Sequence, residues 1–356
     1  MAECLRIGNS SVATRRGTLA IAVWLIAGST ILAADVIRTA KTRYSGKLVQ
    51  MTSLEVTIAT AVKNETVPVN QIQVIDFDEE PSPLKKARTS ISSGRHEEAM
   101  TALEAIKDEV TRAEVKQDVE FYTALAASRL ALSGGLEISE AGKLMADFVG
   151  RYPQNYHYLE ANEMVGDLLV ANMQYGAARK YYDRVGEAPW PDYKMRAAVA
   201  VGQVLLAEGK PQEAMKSFEG VLKISAGDEL TQAQHLAATL GKARCLAETQ
   251  KTDEAIKIAN EVIAKADPDD VSLLARAYNT LGVALQKARR TQEALFAFLH
   301  VETLYAADGD AHAEALFHLV QVWQDLKNFG RAQETRRMLE GQYRESRWCK
   351  ALEKQG

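Results

Sequence analysis

Catalytic signatures are missing from this chain. Its six histidines are scattered, at 96, 157, 235, 300, 312 and 318. None belongs to a His-Glu-x-x-His pair, which would set two imidazoles on one helical face for zinc. No glycine-rich phosphate loop or dinucleotide fingerprint follows a strand, and no Gly-x-Ser-x-Gly elbow occurs. A block of Lys and Arg is also absent. The formal net charge is −4, and becomes −6 without residues 1–34, so the basic footprint of a nucleic-acid binder is not there. There are 3 cysteines, too few for a disulfide scaffold. Cys4 precedes an apolar run, Cys245 sits in a helical pattern as a small apolar residue, and spacing alone does not decide whether it pairs with Cys349. Only 8 prolines and 7% aromatics leave an Ala-rich helical composition. The expectation is a non-catalytic protein with no metal, no cofactor and no nucleic-acid partner.

Residues 1–34 have the three parts of a secretory signal peptide. Arg15-Arg16 is followed by an uncharged run (residues 18–32) and then by Ala33-Ala34. The competing reading is an uncleaved anchor, although the run is shorter than the ~20 residues that usually span a bilayer. Export to the periplasm or envelope is the first expectation, and a single-pass inner-membrane protein is the second. A membrane is a partner only if the leader stays.

The texture changes over residues 35–78. Short β-branched runs at 47–51, 54–59, 65–69 and 73–77 are separated by Tyr44-Ser45-Gly46, Thr52-Ser53 and Lys63-Asn64. They suggest a small all-β module, barrel-like, with a spacing that resembles SH3-like or Sm-like barrels. So small a module is marginal alone and is expected to dock on the first helices. Residues 79–83 form a linker in which Pro81 and Pro83 stop the last strand and open a helix.

From residue 84 to about 340 small residues recur in pairs twelve apart: Gly166 and Ala178, Gly202 and Ala214, Ala243 and Ala255, Gly282 and Ala294. The second member stands in a repeated phrase: Gln212-Glu213-Ala214, Asp253-Glu254-Ala255, Gln292-Glu293-Ala294. Aromatics follow at Tyr182, Phe218 and Phe298. A fixed period of this kind marks stacked supersecondary units. Two antiparallel helices can cross closely where neither carries bulk. These residues resemble the tetratricopeptide repeat family, whose helix-turn-helix keeps a small residue in helix A and an alanine in helix B. More degenerate units begin around Ala87 and Ala99, Ala141, and Val320 and Ala332. The fold class is therefore mainly α: a solenoid of about seven helix-turn-helix units over 84–340, preceded by the β module and followed by a polar tail at 341–356.

The resemblance implies a ligand groove lined by helix A. Carried onto this chain, its groove positions fall on Glu160, Glu163, Asp167, Arg196, Gln203, Arg244, Arg276, Asn279, Gln286 and Gln321, with Glu314, Phe317 and Gln324 beside the last. Each also reads as a solvated helix face. The Lys/Asn constellation of the family's carboxylate clamp is not reproduced. Tyr152, Tyr156 and Tyr158 beside His157 read as packing between repeats, and Trp190 as an exposed aromatic contact. The expected function is an adaptor or scaffold of the bacterial envelope that holds a protein or peptide. The alternative is a membrane-anchored subunit of a larger enzyme, secretion or transport complex.

Overall fold

The computed structural model describes residues 34–355. The expected leader at 1–34 lies, Ala34 apart, outside the described residues. Five strands come first: β1 (Asp35–Thr39), β2 (Arg43–Met51), β3 (Glu55–Ala59), β4 (Asn64–Pro68) and β5 (Ile72–Asp76). They form one sheet in the order β4-β3-β2-β1-β5, with every neighbouring pair antiparallel. The long β2 serves both halves. Arg43 to Gly46 pair with β1, and Lys47 to Met51 with β3, across a register break between Leu48 and Gln50.

The sheet stays open, contrary to the expected barrel. A single 3₁₀ turn, Val69–Gln71, separates β4 from β5, and its Val69 amide is taken by the Leu54 carbonyl at 2.8 Å. The two strands end on opposite edges. Closure is not needed to hide the apolar face. Ile37, Val56, Ile58, Val67 and Ile75 share one core with Leu84, Ala87, Leu103 and Val115 from the helices that follow. A buried ion pair adds to this docking. Asp35 accepts from both Arg112 guanidinium nitrogens (2.6 and 2.9 Å) and from the Leu48 and Asp78 amides (2.8 and 2.9 Å). Burial opposes its charge, yet these four donors hold the carboxyl below its usual range.

The helices pair in sequence. They are α1 (Ser82–Ser92) and α2 (His96–Glu104), α3 (Ala113–Leu132) and α4 (Ile138–Arg151), α5 (Tyr158–Ala171) and α6 (Tyr175–Gly186), α7 (Pro191–Ala207) and α8 (Pro211–Leu222), α9 (Glu229–Glu248) and α10 (Thr252–Lys265), α11 (Val271–Lys287) and α12 (Thr291–Leu304), α13 (Gly309–Asp325) and α14 (Phe329–Gln342). Each packs on the next, and the first members also touch one another: α3 on α5, α7 on α9, α9 on α11, α11 on α13. Seven hairpins thus stack, with helices A forming one inner row.

The small residues do what their spacing implies. A methyl on Gly166 would lie 2.5 Å from the Tyr182 ring, on Gly202 2.7 Å from Phe218, and on Gly282 2.6 Å from Phe298. In each case the aromatic comes from helix B, sixteen residues on. The paired alanines Ala178, Ala214, Ala255 and Ala294 are fully buried. Phe218 also fills the space over Gly241 of the next unit, at 2.3 Å from the missing methyl.

All seven turns from A to B share one geometry. A left-handed residue stands at Gly94, Gly134, Met173, Gly209, Gln250, Arg289 and Lys327, with φ between 57° and 87°. The next amide reaches back five residues: Arg95 to Ser90, Gly135 to Leu130, Gln174 to Leu169, Lys210 to Leu205, Lys251 to Leu246, Arg290 to Leu285 and Asn328 to Trp323. This is the Schellman termination, which satisfies carbonyls the ending helix leaves free.

The segment after residue 340, expected as a polar tail, contains α15 (Arg347–Glu353), capped by Ser346. It buries Cys349 and Leu352 and lays Trp348 against Phe317. Cys245 and Cys349 are both free and buried.

Candidate ligand surface on the inner face

The inner row carries charge in an ordered ladder between successive A helices. On the N-terminal wall, Glu160, Glu163 and Asp167 follow one another along one face of α5, at helical i, i+3 and i+7 positions. Arg196 of α7 donates to Glu163 at 2.5 Å, and Tyr182 donates to Asp167 at 2.7 Å. His157 meets Glu160 at 3.1 Å.

Burial and the neighbouring carboxylates outweigh Arg196 at Glu163, and push its pKa up to about 7. Burial likewise raises Asp167, against the Tyr182 hydrogen bond and the charges of Arg276 and Arg129. At Glu160 burial is overcome by His157, Arg196 and Arg129, and the carboxyl lies below its usual range. Arg276 on α11 and Asp310 on α13 both act on Asp167. A second wall therefore faces α5 from the C-terminal units.

That second wall is also cross-linked. Arg244 of α9 meets Glu314 of α13 at 2.8 Å, passing over α11, and Lys287 meets Glu248 at 2.7 Å. Gln286 donates to Gln321 at 3.2 Å while its carbonyl faces His318, and Gln321 donates to Gln355. Asn279 is buried (1% exposed) and donates to the Ala311 carbonyl and to Glu314. Arg276 stands 3.7 Å from Asp308, and Arg347 of α15 donates to Asp310 at 2.9 Å.

A buried chain of charges runs behind the first wall. Glu80 in the linker binds Arg88 of α1 at 3.0 Å, and Arg88 donates to Asp118 of α3 at 2.7 Å. His157, stacked on Phe121 at 3.6 Å, lies 3.6 Å from Asp118 and 3.1 Å from Glu160. Burial works against protonating His157, but the two carboxylates prevail and its pKa is raised. The packing read for the tyrosines at 156 and 152 is met by this network and by Glu120.

The helical array has counterparts among known proteins. The sequence pattern described as Tetratricopeptide repeat matches residues 205–278. A tetratricopeptide repeat protein from Parabacteroides merdae ATCC 43184 is similar over 76% of this chain and 96% of that one, at 15% identity and a TM-score of 0.50. The helical array has the tetratricopeptide-repeat fold. A Rap protein solved in complex with Competence and Sporulation Factor is similar over 75% of this chain and 76% of that one, at 12% identity and a TM-score of 0.52. No curated protein sequence matches the chain.

Within the tetratricopeptide-repeat array, the ten positions singled out from sequence divide by environment. Gln203 and Arg276 are exposed. Glu160, Glu163, Asp167, Arg196, Arg244, Gln286 and Gln321 are partly buried and paired, and Asn279 is consumed by structure. Trp190 is half-buried against Tyr193 rather than free. Sequence reasoning passed over Arg129, Asp310 and Arg347. Asp310 stands thirty-four residues after Arg276, one minimal repeat, so register alone could have found it. Arg129 sits in a degenerate unit and Arg347 in the supposed tail, where no register applied. Among the described residues, no group of three His, Cys, Asp or Glu side chains is placed to hold a metal, and no helix is long and apolar enough to cross a membrane.

Proposed function

We propose that this chain is a non-catalytic adaptor that takes a segment of another protein, or a peptide, along the inner row of its A helices. The carrying observation is the acid strip on α5, whose Glu163 and Asp167 hold raised proton affinities because the cations around them do not fully balance the burial of three carboxylates. A ligand offering basic groups would supply what the wall lacks. Exposed Gln203 and Arg276 leave room for contact beside it. A Rap protein of similar fold was solved in complex with Competence and Sporulation Factor, which supports a ligand-binding use of such an array.

We further propose export to the bacterial envelope, on the strength of the basic, apolar and small-residue order in residues 15–34. Sequencing the N-terminus of the mature protein tests this. A start at or next to Asp35 supports export, and an intact leader favours the membrane-anchored subunit of a larger complex.

The binding surface is tested with a photo-crosslinking residue at Gln203, on the inner row, and at Lys216, exposed on α8. Adducts are expected from Gln203, and should be lost on Glu163→Lys. Equal adducts from both positions would contradict the inner-face reading.

A further inference from the structure

The second and last hairpins of the array meet. The loop between α3 and α4 lies against the start of α13 and the end of α14, more than 170 residues away in the chain. A methyl on Gly134 would stand 2.1 Å from the Gln342 carbonyl oxygen and 3.1 Å from its carbon, both backbone atoms. A methyl on Gly309 would stand 3.4 Å from the Ser133 Cα and 3.6 Å from both the Leu132 carbonyl and the Ser133 Cβ. Two backbones therefore touch at Gly134, where only glycine fits, while at Gly309 a Cβ would make ordinary contact with the facing loop.

The contact is supported from each side. Gly134 holds its left-handed conformation (φ 87°) within the Schellman turn that ends α3. Opposite it, Tyr343 is buried, and its hydroxyl bonds His312 Nδ1 at 2.7 Å, which pins the chain at 342–343 to α13. The carbonyl end of α3 faces the amide end of α13, a favourable alignment of helix dipoles. Across the interior, Asp167 acts with Arg276 and Asp310, and Arg347 with Tyr175 and Tyr182.

We propose that the α3–α4 loop and the α13–α14 end form a latch that holds the array shut around its inner row, and that a partner segment enters when the latch releases. The second half rests on the inner-face reading above; the first does not. The six units from α3 to α14 complete one closed turn, and the seam is the joint of that turn with no covalent or helical continuity across it. It is therefore the place where the turn can open without unstacking a hairpin.

Two left-handed glycines separate strain from collision. Gly209 ends α7 as Gly134 ends α3, with φ 74°, but a methyl there meets nothing within 4 Å. Gly134→Ala and Gly209→Ala in the full chain therefore share the backbone strain, and only the first wedges the seam. Solution X-ray scattering should show a larger radius of gyration for Gly134→Ala and an unchanged one for Gly209→Ala. Coincident curves would overturn the latch.

A second pair of substitutions does not depend on the first variant folding. The Cβ spacing of 3.6 Å at Ser133 and Gly309 suits a disulfide; Cys245 and Cys349 are buried, and the test is run in a Cys4→Ser background. Ser133→Cys with Gly309→Cys should cross-link under mild oxidation, keep the wild-type scattering curve, and cut the adduct yield from the Gln203 photoprobe at least several-fold, with recovery on reduction. Failure of the disulfide to form in folded protein would overturn the closure. Equal yields locked and reduced would overturn the entry role. No adduct in either state would remove the inner-face reading and the entry role with it, leaving the scattering result to stand alone.

Discussion

The first two units and the middle units of this array are built on different physics. Between α5 and α12 the hairpins are joined by glycine under an aromatic ring: Gly166 under Tyr182, Gly202 and Gly241 under Phe218, Gly282 under Phe298. From the β module to α4 the apolar core is joined by buried ions: Asp35 with Arg112, and Glu80 with Arg88 and Asp118. A phenylalanine ring against a glycine, as at Phe218 and Phe298, excludes water and carries no titratable group. A buried carboxylate depends on keeping every partner, because removing one leaves an uncompensated charge. The first kind of joint can repeat unchanged along a solenoid, while the second fixes one specific neighbour, here the β sheet and the first wall of the inner row.

The largest expected effect belongs to the middle region. Phe218→Ala opens a cavity over two glycines at once and should cost about 3–5 kcal/mol in chemical denaturation, with little change between pH 5 and 9. A cost that varies with pH would blur the distinction drawn here. Asp118→Ala attacks the ionic region. It should cost roughly 3 kcal/mol, the low end for a broken buried pair, because Glu80 remains beside Arg88. If Asp118→Ala is tolerated with no measurable loss, the ionic joint is ornamental.

The histidines sharpen the contrast through the sign of their pH dependence. His157 is raised above its usual value, so its stabilisation is complete below the unfolded pKa of about 6.5 and fades as pH rises through the folded value. His318 and His312 are lowered by burial, so the last unit loses stability as pH falls below about 6.5. In a melting series, His157→Gln should flatten the loss on the alkaline side, and His318→Gln the loss on the acid side. Like slopes for both would contradict the assignments. The smallest effect is a gain. Lys327 holds φ 58° at the last A-to-B turn, where Gly94, Gly134 and Gly209 stand in other units. Lys327→Gly should stabilise by up to about 1 kcal/mol by removing left-handed strain.

The middle region was legible in the sequence because its joint is made of residue types. Gly202, Ala214 and Phe218 declare themselves by size and spacing, and the hairpins they imply are present. The helix start at Pro83 was legible for the same reason, whereas Pro191, which stood in an expected loop, opens α7. The turns were not, since four of seven left-handed positions are Met173, Gln250, Arg289 and Lys327, residues with no local signal for that conformation. The ionic joints were hidden because Asp35 and Arg112, or Arg88 and Asp118, lie far apart in the chain and share no period. The open sheet was misread as a barrel because β-branched runs fix strands but not what covers them. Candidate inner-row positions followed from repeat register wherever the register was clean, which is why Arg129 and Arg347 were missed. The seam at Gly134 depends on how many units complete a turn, a quantity no single unit encodes.

The comparison holds only if the two regions face one another across a common interior. Arg129 on α3 and Arg276 on α11 are both exposed and their charges both bear on Asp167; Cys245 and Cys349 are buried, and Cys4→Ser removes the remaining native thiol from labelling. Spin labels on Arg129→Cys and Arg276→Cys, read by pulsed electron paramagnetic resonance, should give one short, narrow distance. A broad distribution at long distance would mean an open array whose first and later units never share a surface.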